Sequence, residues 1–284
     1  MPGIHARFSQ PFVAIALVLS LSGFTALESL FAPKADLWER WTTHDPNSGI
    51  VVEHGVWDKF LKTYVVADST GLNRVSYGKV TEPDAKALHG YLESLRQVPV
   101  NRLNRPEQFA YWVNAYNALT VRLILEFYPV KSIQDIDLGS GFFSSGPWGE
   151  KLFKVDGEVL SLNDIEHRIL RPIWADPRIH YAVNCASVGC PNLQQDAFTS
   201  ANTEALLEQG ARSYINSGRN ISFSNGQLVV SKIYSWFQED FGGSEGAVLA
   251  HMKKYADVGL LTILGQVTGI FGYAYDWNLN DASP

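Results

Sequence analysis

Only two cysteines, Cys185 and Cys190, occur in 284 residues. Two thiols exclude a disulfide framework, a zinc ribbon and a multi-cluster iron–sulfur protein. Basic charge is also scarce: 23 Lys and Arg stand against 29 Asp and Glu, giving a net charge of −6, and no basic run is present. A general nucleic-acid binder needs clustered cations to neutralise phosphates, so that class drops out. His-Glu-x-x-His, Gly-x-x-x-x-Gly-Lys and Gly-x-Gly-x-x-Gly are absent, and no Gly-x-Ser-x-Gly elbow follows a predicted strand. Zincin, P-loop, dinucleotide and serine-hydrolase readings lose their basis. No segment repeats, and no low-complexity linker divides the chain after residue 50.

What the sequence does hold is core material. Hydrophobic residues make up 46%, and the 8 Trp, 12 Tyr and 15 Phe are enough to fill an interior without stapling by metal or disulfide. The pattern of elements predicts one compact α+β domain over residues 51–284, mostly helical with a small, mainly antiparallel sheet.

The first 32 residues differ from the rest. A short head with His5 and Arg7 precedes an apolar run, residues 11–26, and no charge follows Arg7 until Glu28. The run is short for the ~20 residues of a spanning helix and holds Ser and Gly, which suits an export signal. Its cleavage would fall near Ala26 or Ala32; uncleaved, residues 11–27 would tether the chain to a membrane. Either form puts the domain in the periplasm or beyond, where a Cys185–Cys190 disulfide is chemically permitted. Residues 33–50 then read as an extended approach segment, tacked down by Trp38 and Trp41.

Helical spacing follows. Val56, Phe60 and Val65 flank a first helix, and Leu88, Tyr91, Leu92 and Leu95 mark a second over 82–95. A third, from Pro106 to Phe127, carries a wide apolar stripe that stops before Pro129. Asn117 falls inside the stripe, so its amide is either a structural pin or part of a polar site. Asp156-Gly157 and Asn225-Gly226 predict hairpins pairing 152–155 with 159–162 and 221–224 with 228–231. Ser161 and Asp164 form a capping-box pattern that opens a short helix over 164–170, ending before Pro172. A strand is predicted over 178–183, helices over 203–215, 234–241 and 247–255, and a closing strand over 269–277.

The strongest site pattern is Asp176-Pro-Arg178-Ile-His180-Tyr-Ala-Val-Asn184-Cys185-Ala-Ser-Val-Gly-Cys190-Pro191, an apolar strand ending in a small, polar, cysteine-bearing loop. Strand alternation would put His180 and Cys185 on opposite faces, so a direct pair requires the strand to end first. His167, beside Glu166 on the short helix, is the alternative base. A reactive thiol needs an imidazolium, a cation or a helix N-terminus nearby. The competing readings are a Cys185–Cys190 disulfide and an inert buried thiol. Cys-x4-Cys is a weak metal pattern. Glu107, Asp164, Glu166 and Asp240 are available as paired carboxylates, with nothing favouring a pair. Trp148 could stack on a sugar or a peptide.

These segments resemble a known family, the domain of unknown function 547 (DUF547). The matching pieces are Phe109-Ala-Tyr-Trp-Val-Asn114-Ala-Tyr-Asn117-Ala, the run from Leu160 to Arg171, the run from Asp176 to Pro191, the run from Ser231 to Phe241, and Tyr275-Asp276-Trp277-Asn278-Leu-Asn280. They span roughly residues 55–280. A more distant likeness ties the family to papain-like and transglutaminase-like thiol enzymes. Those enzymes place the nucleophilic cysteine at the start of a helix, whereas the long helix here offers Asn114 and Asn117 and no cysteine.

The resemblance and the residues together suggest a pocket between the Asn114/Asn117 helix, the Glu166-His167 helix and the His180–Cys190 loop. As an enzyme, the chain would perform acyl transfer or amide hydrolysis on a peptide-like envelope substrate. Cys185 would be the nucleophile, His167 or His180 the base with Glu166 beside it, and Asn117 or Asn184 the orienting or oxyanion-stabilising amide. Asn114, Asn184, Trp148 and Arg178 would contact substrate. The rival is a non-catalytic envelope protein that binds a peptide, glycan or protein partner, with its cysteines joined. A third reading is metal-dependent hydrolysis through His167, His180 and a carboxylate. No cofactor and no nucleic acid is implied.

Overall fold

The computed structural model describes residues 32–139 and 146–282. The expected export segment therefore lies outside the described residues, apart from Ala32. Among the described residues, no helix is long and apolar enough to cross a membrane.

The architecture is α+β and organises around one long helix, Arg105–Phe127. Asn104 caps it by accepting the Glu107 N–H at 3.0 Å. Its apolar residues are spread so widely that it is buried on nearly every face, as befits a helix at the centre of a core. The helices Gly55–Tyr64 and Glu82–Leu95 pack beside it, with two hairpins, Val65–Ala67 with Asn73–Val75 and Phe153–Val155 with Glu158–Leu160. A second apolar cluster gathers Tyr181, the helices Thr203–Ile215 and Glu245–Tyr255, and a three-stranded sheet. In that sheet Ile221–Ser224 pairs antiparallel with Gln227–Ser231, which pairs parallel with Gly272–Ala274. Both predicted turns adopt left-handed backbone, Asp156 and Gly157 at φ 47° and 86°, Asn225 and Gly226 at 51° and 76°. This is the twist a two-residue hairpin requires.

Three elements depart from expectation. Residues 178–183 are not a strand: Pro177–Tyr181 is a 3₁₀ helix, started by Pro177 and by Asp176, whose carboxylate accepts the Arg178 N–H at 2.8 Å. A continuous apolar run looks the same for a buried strand or a buried helical turn, and the cap decides. The expected 164–170 helix is a π-helical stretch, Asp164–Leu170, opened by the predicted Ser161–Asp164 capping box and continued through Pro172 as Arg171–Trp174. Pro172 has no N–H to offer the preceding turn. Instead the approach segment donates: Asp36 N–H to the His167 carbonyl and Trp38 N–H to the Arg168 carbonyl, both at 3.0 Å. The predicted helix over 234–241 breaks at Phe237 into Ile233–Trp236 and a 3₁₀ turn, Gln238–Phe241.

Tyr181 packs into the second cluster while Ile179, Ala182 and Val183 pack into the first. The cysteine-bearing loop therefore sits at the seam between the two cores.

Candidate active site

The loop is built from amides. On the long helix, Asn117 Nδ2 donates to the Ala182 carbonyl at 2.9 Å and Asn117 Oδ1 accepts the Asn184 N–H at 2.8 Å. Asn184 in turn donates to the Pro191 carbonyl at 2.7 Å and accepts the Ala186 N–H at 2.9 Å. Ala186 is held at φ 61°, a left-handed conformation that costs an L-residue about 1 kcal/mol. The C-terminal segment braces the other side, through Val188 N–H to Asn278 and Gly189 N–H to Asp276, both at 2.8 Å. Gly189 is required there, because a Cβ would lie 2.8 Å from the Asp276 nitrogen.

This scaffold presents Cys185 as a partly exposed free thiol beside Cys190, a buried one; they are not joined as a disulfide. Cys185 N–H donates to Cys190 Sγ at 3.1 Å. Around Cys185 Sγ stand the Tyr275 hydroxyl at 3.1 Å and the Ser187 hydroxyl at 3.3 Å, which contact each other at 2.9 Å. The Cys190 thiol faces the Val183 carbonyl at 3.9 Å. Cys190 chiefly, with Ser187 and Tyr275, lowers the Cys185 pKa to about 7 against the opposing effect of burial. Burial, with Cys185 beside it, pushes the Cys190 thiol well up.

A charged network faces the same cavity. His180 Nε2 bonds Asp240 Oδ2 at 2.7 Å, and Arg171 Nε donates to that oxygen at 2.6 Å. Burial opposes the Asp240 charge, but these two bonds outweigh it and hold the carboxyl well below the usual range. The break at Phe237 makes the arrangement possible: its ring stacks on His180 at 4.4 Å and lies under the Arg171 guanidinium at 4.6 Å. Glu166 Oε1 is 3.8 Å from His180 Nδ1 and 4.0 Å from His167 Nδ1. Tyr116, from the long helix, lines the cavity with Glu166. Arg171 can only donate, so its 3.0 Å contact makes His167 Nδ1 an acceptor. Burial lowers the His167 pKa to about 4, which leaves the imidazole neutral at pH 7.

The cavity has a volume of about 670 Å³. Cys185, His180, His167, Glu166 and Trp148 line it together, as the sequence suggests, beside Tyr275, Trp236 and Trp277. Asn117, Asn114, Asn184 and Arg178 do not line it. Asn114 binds the Phe198 backbone through both ends of its amide, at 2.7 and 3.0 Å, and Arg178 is paired with Asp176 and Glu204. With the Asn117 and Asn184 amides committed to backbone groups, these residues position the loop. No hydrogen bond joins Cys185 to either histidine among the described residues.

Arg171, Ser187, Tyr116 and Tyr275 enter the site without having been singled out as its members, and Asp240, one of four carboxylates left open by the sequence, enters as the partner of His180. Asp240 and Tyr275 stood in the family-like pieces, but a pairing across 60 residues has no local sign. For metal chemistry, no group of three or more His, Cys, Asp or Glu among the described residues is arranged to hold an ion. The Arg171 guanidinium instead joins His167 to Asp240. Gly242-Gly-Ser244-Glu-Gly246 spells a serine-nucleophile pattern, but Ser244 caps the helix Glu245–Tyr255 and lies outside the cavity.

No curated protein and no solved structure matches the sequence. The matched family region holds the long helix, the π-helical stretch and the cysteine loop, whereas Asp240 and Tyr275 lie beyond it. Residues 100–215 match the family described as "Protein of unknown function, DUF547".

Proposed function

We propose that the protein is a thiol-dependent acyl transferase or amide hydrolase with Cys185 as nucleophile, acting outside the cytoplasm on a peptide-like envelope substrate. The observation that carries this reading is the Cys185 sulfur, in contact with the Tyr275 and Ser187 hydroxyls on the wall of a roughly 670 Å³ cavity. A thiolate formed near neutral pH attacks a carbonyl carbon without needing a base at that step. The C–S bond forms, the C–N bond breaks, and the amine leaves with a proton passed to it by His180. Water then attacks the thioester, giving its proton to the imidazole; the acid is released and the thiolate restored. His180, oriented by Asp240 and flanked by Glu166, and His167, neutral at pH 7, supply the proton transfers. The aromatic side chains of Trp148, Trp236 and Trp277 offer apolar contact to the substrate. The location rests on the apolar run of residues 11–26.

p-Nitrophenyl acetate tests the reading. The expected result is a burst of one p-nitrophenolate per protein, with acetyl on Cys185, absent in Cys185→Ser and cleared more slowly in His180→Ala. Failure of Cys185 to acetylate while iodoacetamide labels it fully would overturn the reading.

A further inference from the structure

Cys190 forms no bond to substrate in the acyl chemistry, yet it is placed against Cys185. Its sulfur accepts the Cys185 N–H at 3.1 Å, while only 5% of the residue is exposed. The loop between them is held at both ends. Asn184 ties Pro191 back across it, and the Arg219 guanidinium donates to the Val188 and Cys190 carbonyls. The Tyr275 and Ser187 hydroxyls reach Cys185 Sγ. Both residues line the cavity; Cys185 is partly exposed with hydroxyls at its sulfur, and Cys190 beside it is buried.

We propose that Cys185 and Cys190 form a redox-active dithiol that reduces a disulfide brought into the cavity, Cys185 attacking and Cys190 resolving. Cys185 thiolate attacks one sulfur of the incoming disulfide; a mixed disulfide forms and the first thiolate leaves. Cys190 then gives up its proton, which the departing thiolate can take, and attacks Cys185 Sγ. The Cys185–Cys190 bond forms and the second thiolate leaves. The substrate disulfide gains two electrons and the protein dithiol loses two. The two protein sulfurs must close to about 2.05 Å. The asymmetry suits the sequence of steps: the lowered pKa of Cys185 favours attack, and the raised pKa of Cys190 keeps it protonated until the mixed disulfide has formed.

The full chain, reduced and freed of reductant, is mixed with excess glutathione disulfide, and released glutathione and intact mass are followed. The wild type should release two glutathiones per protein and end two hydrogens lighter, with no free thiol. Cys190→Ser should release one, half the wild-type yield, and retain one glutathionyl group on Cys185. Cys185→Ser should release none. A wild-type protein that stops with one glutathionyl group on Cys185, or that does not react while iodoacetamide still alkylates Cys185, overturns the proposal. The wild-type stoichiometry decides even if a variant fails to fold. The acyl-transfer reading fails separately: a wild-type protein without the p-nitrophenyl acetate burst that still releases two glutathiones retains the dithiol activity alone, and one with the burst that stops at one glutathionyl group loses the dithiol proposal alone.

Discussion

Asn117 on the central helix and Asn184 in the cysteine loop are joined side chain to backbone at 2.8 Å, one residue before the thiol, with both residues almost fully buried. The loop thus takes its position from the most deeply packed element of the fold.

Asn117→Leu leaves two buried groups, the Asn184 N–H and the Ala182 carbonyl, without partners. At 1–3 kcal/mol for each orphaned group, a loss of about 2–6 kcal/mol is expected in urea unfolding. Cys185 alkylation in the surviving folded protein should lose its low-pH reactivity, because the sulfur no longer meets its donors.

Tyr275→Phe removes one donor from Cys185 Sγ and leaves the ring in place. A hydrogen bond to a charged group contributes about 1.5–3 kcal/mol, so the midpoint of the alkylation rate should rise from about 7 by about one to two pH units. An unchanged profile would mean that Tyr275 does not support the thiolate.

How far this site could be read from the sequence depended on range. Hairpin turns such as Asn225-Gly226, the capping box at Ser161 and Asp164, and the helix 82–95 are encoded by neighbours within a few residues, and each forms where local chemistry places it. Cys185, His167, His180 and Glu166 were found because they stand in unusual local company. His180 was nonetheless put on a strand, since the cap at Asp176 outcompetes an ambiguous apolar run. Asp240 and Tyr275 reach the site through the chain's return across the seam, and Asn117 and Asn184 turned out to hold the loop, an outcome set only by what packs opposite them.

Acid should unfold the protein in two windows. Burial, the largest cause in each case, lowers His54, His167 and His251 to about 4 in the folded state, against about 6.5 in an unfolded chain. Between those values the unfolded chain binds more protons, so stability is full above pH 6.5 and falls as pH drops toward 4. Each group contributes up to about 1.4 kcal/mol per pH unit, with partly exposed His251 contributing less. Thermal midpoints measured from pH 7 to 4 check the slope, and His167→Gln should flatten it.

Asp240 acts in the lower window. Its folded pKa lies below the unfolded value of about 3.9, so its contribution is present above pH 4 and is lost as pH falls further. Asp240→Asn leaves Arg171, only 4% exposed, without its carboxylate partner. The expected cost is about 3 kcal/mol at pH 7, read by urea unfolding.

Gly189→Ala drives a methyl into the Asp276 backbone, at 2.8 Å from nitrogen and 2.9 Å from oxygen. Neither neighbour is a flexible side chain, so the strands of chain must part. A loss of about 2 kcal/mol is expected, together with slower Cys185 alkylation as Tyr275 moves away.

Asp36 and Trp38 donate their N–H groups to the His167 and Arg168 carbonyls, in the turn where Pro172 has no N–H to give, and Arg171 donates to the Pro33 carbonyl at 2.7 Å. The histidine-bearing turn is therefore finished by a stretch of chain more than 130 residues upstream. A fragment limited to residues 100–215 would carry the thiols and both histidines but would leave that turn's backbone open to water and the Asp240 carboxylate missing. The autonomous working unit is larger than the family match, and its boundaries reach from the approach segment to the C-terminal brace.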